Sequence, residues 1–145
     1  MAQVSDLLAR KGNFVLCISP TTTVLDAVQL MNRHKVGSAC VCIDDRIIGI
    51  FTERDVLTRV VGEKRDPVDC LVEDVMTSDI AYARMNTEVD QVAAIMKVRR
   101  IRHLPVCDDH GRLQGLVSIG DVNAFRTDGQ ATEIHYLQEY IHGRV

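Results

Sequence analysis

The feature that most constrains this chain is a seven-residue stretch that occurs twice. Residues 49–55 read GIFTERD and residues 115–121 read GLVSIGD, so both follow the pattern Gly-apolar-apolar-hydroxyl-x-x-Asp. The spacing is the same at both ends of the stretch, because 115 − 49 = 66 and 121 − 55 = 66. An internal repeat of this kind indicates that the chain is built from two copies of one structural unit.

The similarity between the two copies extends upstream of this motif. The matching segments are 24–31 with 89–96 and 36–42 with 101–107, both at an offset of 65 (89 − 24 and 101 − 36), and 4–8 with 72–76 at an offset of 68 (72 − 4). Because the offset falls from 68 to 65, the stretch between these two segments is longer in the first copy than in the second. The first copy carries the extra residues around positions 10–13. We divide the chain into a first unit (1–66), a second unit (67–127) and a tail (128–145). The polar stretch 62–67 has the composition of a linker between the units.

Apolar periodicity and turn residues predict the order β-α-β-β-α in each unit, and therefore an α/β (α+β) fold. The predicted elements are a strand 14–18, a helix 24–34, strands 38–43 and 47–51 and a helix after the motif in the first unit, and a strand 80–83, a helix 89–98, strands 103–107 and 112–117 and a final helix in the second. The tail carries an apolar stripe over 131–142 and is predicted to form an amphipathic helix.

Composition bounds the function classes. The chain has 145 residues, 46% of them hydrophobic, which suits two closely packed half-domains that are each marginal alone. A net charge of −3 and the lack of a basic stripe give no reason to expect nucleic acid as a partner. No apolar run is long enough to cross a membrane, and the N-terminal sequence does not look like a signal peptide. With five cysteines, an odd number, we expect reduced thiols and a cytoplasmic protein.

The repeated motif permits two chemical interpretations. Thr52 and Ser118 stand where a strand turns into a helix and suit the N-cap position, with Asp55 and Asp121 three residues later in the first turn. This arrangement is a capping box and needs no ligand. A carboxylate at a helix start can also accept both hydroxyls of a ribose, while nearby N–H groups hold a phosphate. The occurrence of the motif in both copies favours the second interpretation.

The combined pattern resembles a tandem pair of cystathionine-beta-synthase (CBS) domains over residues 1 to about 127. Besides the two motifs, the resemblance rests on VMT at 75–77 and IRHLPV at 101–106. It implies a regulatory module whose two units pack about a pseudo-twofold axis and leave two clefts. It also implies an adenosine ligand such as AMP, ATP, NAD or S-adenosylmethionine, no catalytic cofactor, and a homodimer.

The resemblance assigns site residues position by position. It places ribose on Thr52 and Asp55 in one cleft and on Ser118 and Asp121 in the other. The base is expected against an apolar residue of each first strand and the backbone amides of the strand that follows the first helix. These are Val15 with Gly37, Ser38 and Ala39, and Ile80 with Arg102, His103, Leu104 and Pro105. Thr77 is included as part of the VMT segment. Arg54, Arg102 and His103 are the candidates for phosphate. Because the first unit has Gly37 and Ser38 where the second has Arg102 and His103, we expect the cleft of the first unit to be poorer in cations and its motif to be a capping box in practice.

Other function classes have less to support them. The sequence has no nucleophile elbow, no phosphate-binding loop and no motif that pairs two carboxylates, so an enzyme is not expected. Cys40 and Cys42 share a strand face, which raises a metal or redox function as one alternative. A ligand-free dimerisation or interaction scaffold is another. A regulatory module must act on an effector protein, which the sequence does not identify.

Overall fold

The computed structural model describes residues 1–127, and they form two small β-sheets covered by helices. The elements are α1 (Val4–Lys11), β1 (Cys17–Ile18), α2 (Val24–His34), β2 (Ser38–Ile43), β3 (Arg46–Thr52), α3 (Glu53–Asp55) continued by a π-helical segment (Val56–Val61), α4 (Val72–Val75), α5 (Val89–Arg99), β4 (His103–Cys107), β5 (Leu113–Ser118) and α6 (Ile119–Arg126). This mixed architecture confirms the predicted fold class. The predicted helix at 131–142 lies outside the described residues.

The first sheet has the order β1-β2-β3 and the second consists of β4 and β5. In each sheet the two long strands form an antiparallel hairpin, with Ser38 opposite Thr52 and His103 opposite Ser118. Both hairpins carry an irregularity at the matching place, after Val41 and after Val106. The hydroxyl residue of each motif is therefore the last residue of its hairpin.

The predicted strand 80–83 is wrong as a strand, because only Ala83 pairs with β4. Ala83 N–H donates to Pro105 O at 2.8 Å and Ala83 O accepts from Cys107 N–H at 2.9 Å. In the first unit the preceding bond of the ladder is present, since Cys40 N–H donates to Leu16 O at 2.8 Å. Pro105 occupies the repeat position of Cys40 (40 + 65 = 105) and has no N–H, so this bond cannot form. β1 is also shorter than predicted, because it covers Cys17–Ile18 and not 14–18.

The two motif helices differ in geometry. After Asp121, α6 is a regular α-helix to Arg126, whereas after Asp55 the chain adopts π-helical hydrogen bonding over Val56–Val61. The wider turn closes with Gly62 N–H donating to Leu57 O at 2.9 Å. The helical spacing in the sequence predicts a helix here but does not distinguish between these two geometries.

The leading segment of each repeat, 4–8 in the first and 70–76 in the second, packs in the hydrophobic core of the other unit. Val4, Leu7 and Leu8 of α1 pack in the core that contains α5, β4, β5 and α6. Cys70, Val72 and Val75 pack in the core that contains α2, β2 and β3. Each segment is tied to the other unit by an isolated bridge, Gln3 with Glu88 and Thr23 with Leu71. Each core is therefore completed by residues from the other copy of the repeat.

The motif glycines provide the space for this exchange. A Cβ atom placed on Gly115 would lie 2.9 Å from Leu8 Cδ1, and one placed on Gly49 would lie 2.5 Å from Met76 Sδ. Leu8 and Met76 occupy matching positions of the repeat (76 − 8 = 68). The glycine in each motif is thus required for close packing of the exchanged segment.

The units meet through a third cluster in which matching residues face each other. Its buried members are Cys40, Ile50 and Leu116, with Val15 and Ile80 packed beside them. Ile50 and Leu116 are equivalent in the repeat, as are Val15 and Ile80, so the contact follows the predicted pseudo-twofold arrangement. Among residues 1–127, no helix has the length and apolar character needed to cross a membrane.

Candidate functional site

Both motifs form complete capping boxes. The Thr52 hydroxyl accepts a hydrogen bond from Asp55 N–H at 3.2 Å, and the Asp55 carboxylate accepts from Thr52 N–H at 3.0 Å. The corresponding distances for Ser118 and Asp121 are 3.0 and 2.8 Å. Each carboxylate therefore uses Oδ2 to fix the strand-to-helix turn. The capping interpretation is correct for both copies, and it leaves Oδ1 of each carboxylate to be accounted for.

Asp55 lies at the wall of a cavity, and its side chain is only 8% exposed. Its Oδ1 accepts a hydrogen bond from the Thr77 hydroxyl at 3.3 Å, and Arg59 Nε lies 3.9 Å away. The Thr77 hydroxyl is uncharged and the contact is long. A ligand hydroxyl can replace this contact without separating an ion pair.

The cavity beside Asp55, which we call the first cavity, has a volume of about 540 Å³. This volume is within the usual range for a small-molecule site. Its walls come from both units: Thr52, Arg54 and Asp55 on one side face Ile80, Arg102, His103 and Pro105 on the other, with Gly37 and Thr77 between them. The cavity therefore combines the motif of the first unit with the base wall expected for the second.

The first cavity is rich in arginine. Arg59 donates to Val75 O and Met76 O, and Arg99 pairs with Asp79 at 3.7 Å. Within residues 1–127, the guanidinium groups of Arg54, Arg100 and Arg102 have no hydrogen bond or ion pair, although all three residues line the cavity. Arginine binds phosphate oxygens with two parallel hydrogen bonds, so these three side chains suit a phosphate ligand.

The second cavity, of about 370 Å³, lies beside Asp121. It too has walls from both units, because Ser118 and Asp121 face Val15, Gly37 and Ser38. The remaining lining is mainly apolar and includes Phe14, Leu16, Val36 and Leu116. Lys11 and His103 are the basic side chains among its lining residues.

Lys11 forms an ion pair with Asp121, the carboxylate of the second cavity. Its ammonium group donates to Asp121 Oδ2 and, at 2.5 Å, to Leu116 O. Burial raises the pKa of Asp121, but the hydrogen bonds from Lys11 and from Ser118 outweigh this effect, and the net result is a pKa below the usual value. Asp121 is therefore held as a carboxylate whose charge is already compensated within the protein.

His103 lines both cavities. Burial is the main cause that lowers its pKa, and the neighbouring Lys11 and Arg102 add to the effect against the opposing influence of Asp121 and Glu53. The imidazole is therefore neutral near pH 7 and can both donate and accept a hydrogen bond. His103 contributes a polar ring to the wall that separates the cavities rather than a fixed positive charge.

The expectation that the cleft of the first unit is poorer in cations is wrong. It assumed that each motif faces the base wall of its own unit, whereas the face-to-face packing of the units places Asp55 opposite Arg102 and Asp121 opposite Ser38. Two further predicted wall residues, Ala39 and Leu104, are fully buried in the two cores and line neither cavity. Their side chains have a packing role.

Sequence reasoning missed several lining residues. Arg59, Arg99 and Arg100 belong to the first cavity, and Lys11, Phe14 and Leu116 to the second. A signal for Lys11 and Phe14 was present in the sequence, because the first copy has extra residues around positions 10–13. Arg59 and Arg99 lie in helical segments, and Arg100 follows the last residue of α5. A charged residue at such a position is ordinarily interpreted as exposed to solvent.

The cysteines show no sign of a metal site. All five are free thiols, and residues 1–127 contain no group of three or more His, Cys, Asp or Glu side chains placed to hold a metal ion. Burial raises the pKa of Cys40 and of Cys107, and it raises that of Cys42 to about 12. These thiols are therefore protonated near pH 7 and weakly nucleophilic.

Comparison with known proteins identifies the family. A sequence model of the CBS domain matches residues 4–62 and 72–126. An uncharacterized protein of Methanopyrus kandleri is 33% identical over 109 residues, which are 74% of this chain and 56% of that protein. The mitochondrial CBS domain-containing protein CBSX3 of Arabidopsis thaliana is 34% identical over 149 residues, covering 97% of this chain and 72% of the relative.

A solved structure agrees with these sequence matches. The CBS-domain containing protein of Agrobacterium tumefaciens superposes with a TM-score of 0.80 at 37% identity, covering 86% of this chain and 99% of the other. The match to the Methanopyrus protein spans little more than half of that protein's length. Two matches to one domain model within a single chain, together with this structural similarity, show that the chain belongs to the CBS domain family and contains a tandem pair of these domains.

Proposed function

We propose that the chain is a regulatory module that binds an adenine nucleotide, of the AMP, ATP or NAD type, in the first cavity. The observation that carries this proposal is the meeting of three chemistries in one space of about 540 Å³. A carboxylate at a helix start, three arginines that make no hydrogen bond or ion pair with the described residues 1–127, and an apolar wall line the same cavity. These groups suit a ribose, a phosphate and a base respectively.

The ribose would bind at Asp55 and Thr52. Asp55 Oδ1 exchanges its 3.3 Å contact with Thr77 for the vicinal hydroxyls, while Oδ2 keeps the capping hydrogen bond to Thr52 N–H. The base would lie against Ile80 and Pro105, whose side chains form part of the opposite wall. Arg54, Arg100 and Arg102 would bind the phosphate groups.

The regulatory effect follows from the two-sided construction of the site. The residues that would bind the ribose belong to the first unit, and those that would contact the base belong to the second. A bound nucleotide would therefore contact both units. A ligand shifts a conformational equilibrium only to the extent that it binds one arrangement better than another. We propose that the nucleotide selects one relative packing of the units, and that an effector protein responds to that packing. The effector itself is not identified.

Thermal unfolding with AMP, ATP and NAD, each added separately, tests the binding proposal. At a ligand concentration 100 times its dissociation constant, stabilisation of about 2.7 kcal/mol is expected. Asp55→Asn retains an oxygen for the capping box but removes the charge that binds the ribose, so this stabilisation should be lost.

The matched control is Asp6→Asn. Asp6 caps α1 in the same way, accepting from Gln3 N–H at 2.9 Å, but it is exposed and lines neither cavity. Asp6→Asn should respond to nucleotide as the unchanged protein does. An unfolding temperature that none of the three nucleotides raises, or an undiminished response in Asp55→Asn, would refute the proposal in favour of a ligand-free scaffold.

We also propose that the module is a homodimer. Leu57 and Val61 are apolar yet 65% and 63% exposed, and they lie four residues apart on the π-helical segment. Leu57→Asp should convert the dimer to a monomer, as measured by light scattering after size-exclusion chromatography. Val98→Asp is the control, since Val98 is 81% exposed on α5 and should tolerate a charge. A monomeric unchanged protein, or a Leu57→Asp variant that stays dimeric, would contradict this assignment.

A further inference from the structure

The two cavities differ most at their carboxylates. Asp55 Oδ1 accepts a 3.3 Å hydrogen bond from the Thr77 hydroxyl and lies 3.9 Å from Arg59 Nε, whereas Asp121 Oδ2 accepts directly from the charged ammonium group of Lys11 as well as from Ser118 N–H. Both hydrogen bonds have an ionised carboxylate as acceptor, but only at Asp121 is the donor charged as well. A ribose competes with a long hydrogen bond and a 3.9 Å ion pair in the first cavity, and with a directly hydrogen-bonded ion pair in the second.

The position of Lys11 is fixed by the end of α1. Lys11 is the last residue of the helix, and Gly12 terminates it with φ 96° and with its N–H donating to Leu8 O at 2.7 Å. A side chain at this φ is strained, so the turn suits glycine. The Lys11 ammonium has a second acceptor, Leu116 O, which holds it over Asp121. The ammonium is therefore anchored at two points beside the carboxylate.

The repeat has no equivalent of this lysine on the other side. Lys11 lies among the extra residues of the first copy, around positions 10–13, and the residue 68 positions later, Asp79, is an acidic residue that pairs with Arg99. α1 has eight residues and α4 has four, so α4 ends too early to supply a counterpart of Lys11, and the cation paired with Asp55 is instead Arg59 of the π-helical segment, 3.9 Å away. The difference between the cavities is thus encoded by the extra residues of the first copy.

We infer that Lys11 closes the second cavity to ribose, so that one chain binds one nucleotide, in the first cavity. Two of the acceptor positions of the Asp121 carboxylate are in use, and its charge is compensated by the ammonium. A nucleotide would have to bind a carboxylate whose charge is already compensated, or displace Lys11 from both Asp121 and Leu116. This inference deepens the proposed function, because it determines the number of sites and their difference.

Isothermal titration with AMP, ATP and NAD, each used separately, tests the inference by counting equivalents bound per chain. Lys11→Met keeps the length and apolar stem of the side chain but removes the ammonium group. It should bind about one equivalent more than the unchanged protein. The double variant Lys11→Met with Asp121→Asn should lose that extra equivalent. Lys97→Met replaces an exposed lysine of α5 that lines neither cavity, and it should leave the number of equivalents unchanged.

The outcomes separate this inference from the proposed function. Equal binding by Lys11→Met overturns the inference, and lower binding overturns it and indicates that Lys11 itself holds ligand phosphate. An extra equivalent that survives Asp121→Asn overturns it as well. Asp55→Asn reports on the first cavity alone, so its result bears on the proposed function and not on Lys11. Lys11→Gln repeats the test with a polar side chain, and circular dichroism verifies that each variant is folded.

Discussion

Replacing Leu8 with alanine is expected to lower the free energy of unfolding by about 2–5 kcal/mol. Leu8 belongs by sequence to the first copy of the repeat, but its side chain is 1% exposed and packs in the core of the second unit. Truncation removes buried apolar surface and leaves a cavity against Gly115, which has no side chain to fill it. The loss would be a large fraction of the stability of a domain this size.

Chemical denaturation monitored by circular dichroism gives the size of this effect. The control is Val98→Ala, because Val98 is 81% exposed and its truncation should change the free energy of unfolding by about 0.5 kcal/mol or less. A Leu8→Ala cost close to that of Val98→Ala would mean that α1 does not pack in the second core.

Replacing Gly49 with alanine is expected to destabilise the protein by about 1–3 kcal/mol through overpacking. The new Cβ would lie 2.5 Å from Met76 Sδ and 3.0 Å from Thr77 O. The sulfur can move with its flexible side chain. The carbonyl cannot, because Thr77 N–H donates to Ile50 O at 2.8 Å and Thr77 O accepts from Ile50 N–H at 2.9 Å. Since Thr77 also contacts Asp55, nucleotide binding should weaken together with stability.

Two other glycines serve as comparisons in the same denaturation experiment. At Gly115 the close atom is Leu8 Cδ1, the end of a flexible side chain, so Gly115→Ala should cost less than Gly49→Ala. At Gly120, in the first turn of α6, the nearest atom is 3.6 Å away, and alanine should stabilise the helix by about 0.5–1 kcal/mol. Equal effects at all three positions would show that general glycine propensity, not the contact at Gly49, controls stability.

The sequence was sufficient to predict the elements that depend on local signals. The hydroxyl and acidic residues of the motif, spaced three apart, predicted both capping boxes, and those boxes form at Thr52 and Ser118. The short apolar run that ends at the turn residues 108–111 predicted β4 with its observed bounds, His103–Cys107. Pro105 also carried the information that the ladder from Ala83 would stop, since a missing N–H can be read directly from the sequence.

The pairing between copies could not be predicted from such signals. Apolar periodicity shows that α1 has a buried face but not which core receives it. The same limitation led to the wrong expectation for the cations of the first cleft, because Arg102 faces Asp55 only after the units pack face to face. The π-helical geometry of Val56–Val61 was likewise invisible, as its side chains satisfy a helical pattern in either form.

The exchange of leading segments has a consequence for how the chain is made. During synthesis the first core stays incomplete until Cys70, Val72 and Val75 have left the ribosome, although β3 ends about twenty residues earlier at Thr52. A ribosome paused in the linker would therefore hold a nascent first unit with an open apolar groove. Separately expressed halves, divided after residue 66, should each expose such a groove, and mixing the two halves should restore a folded complex.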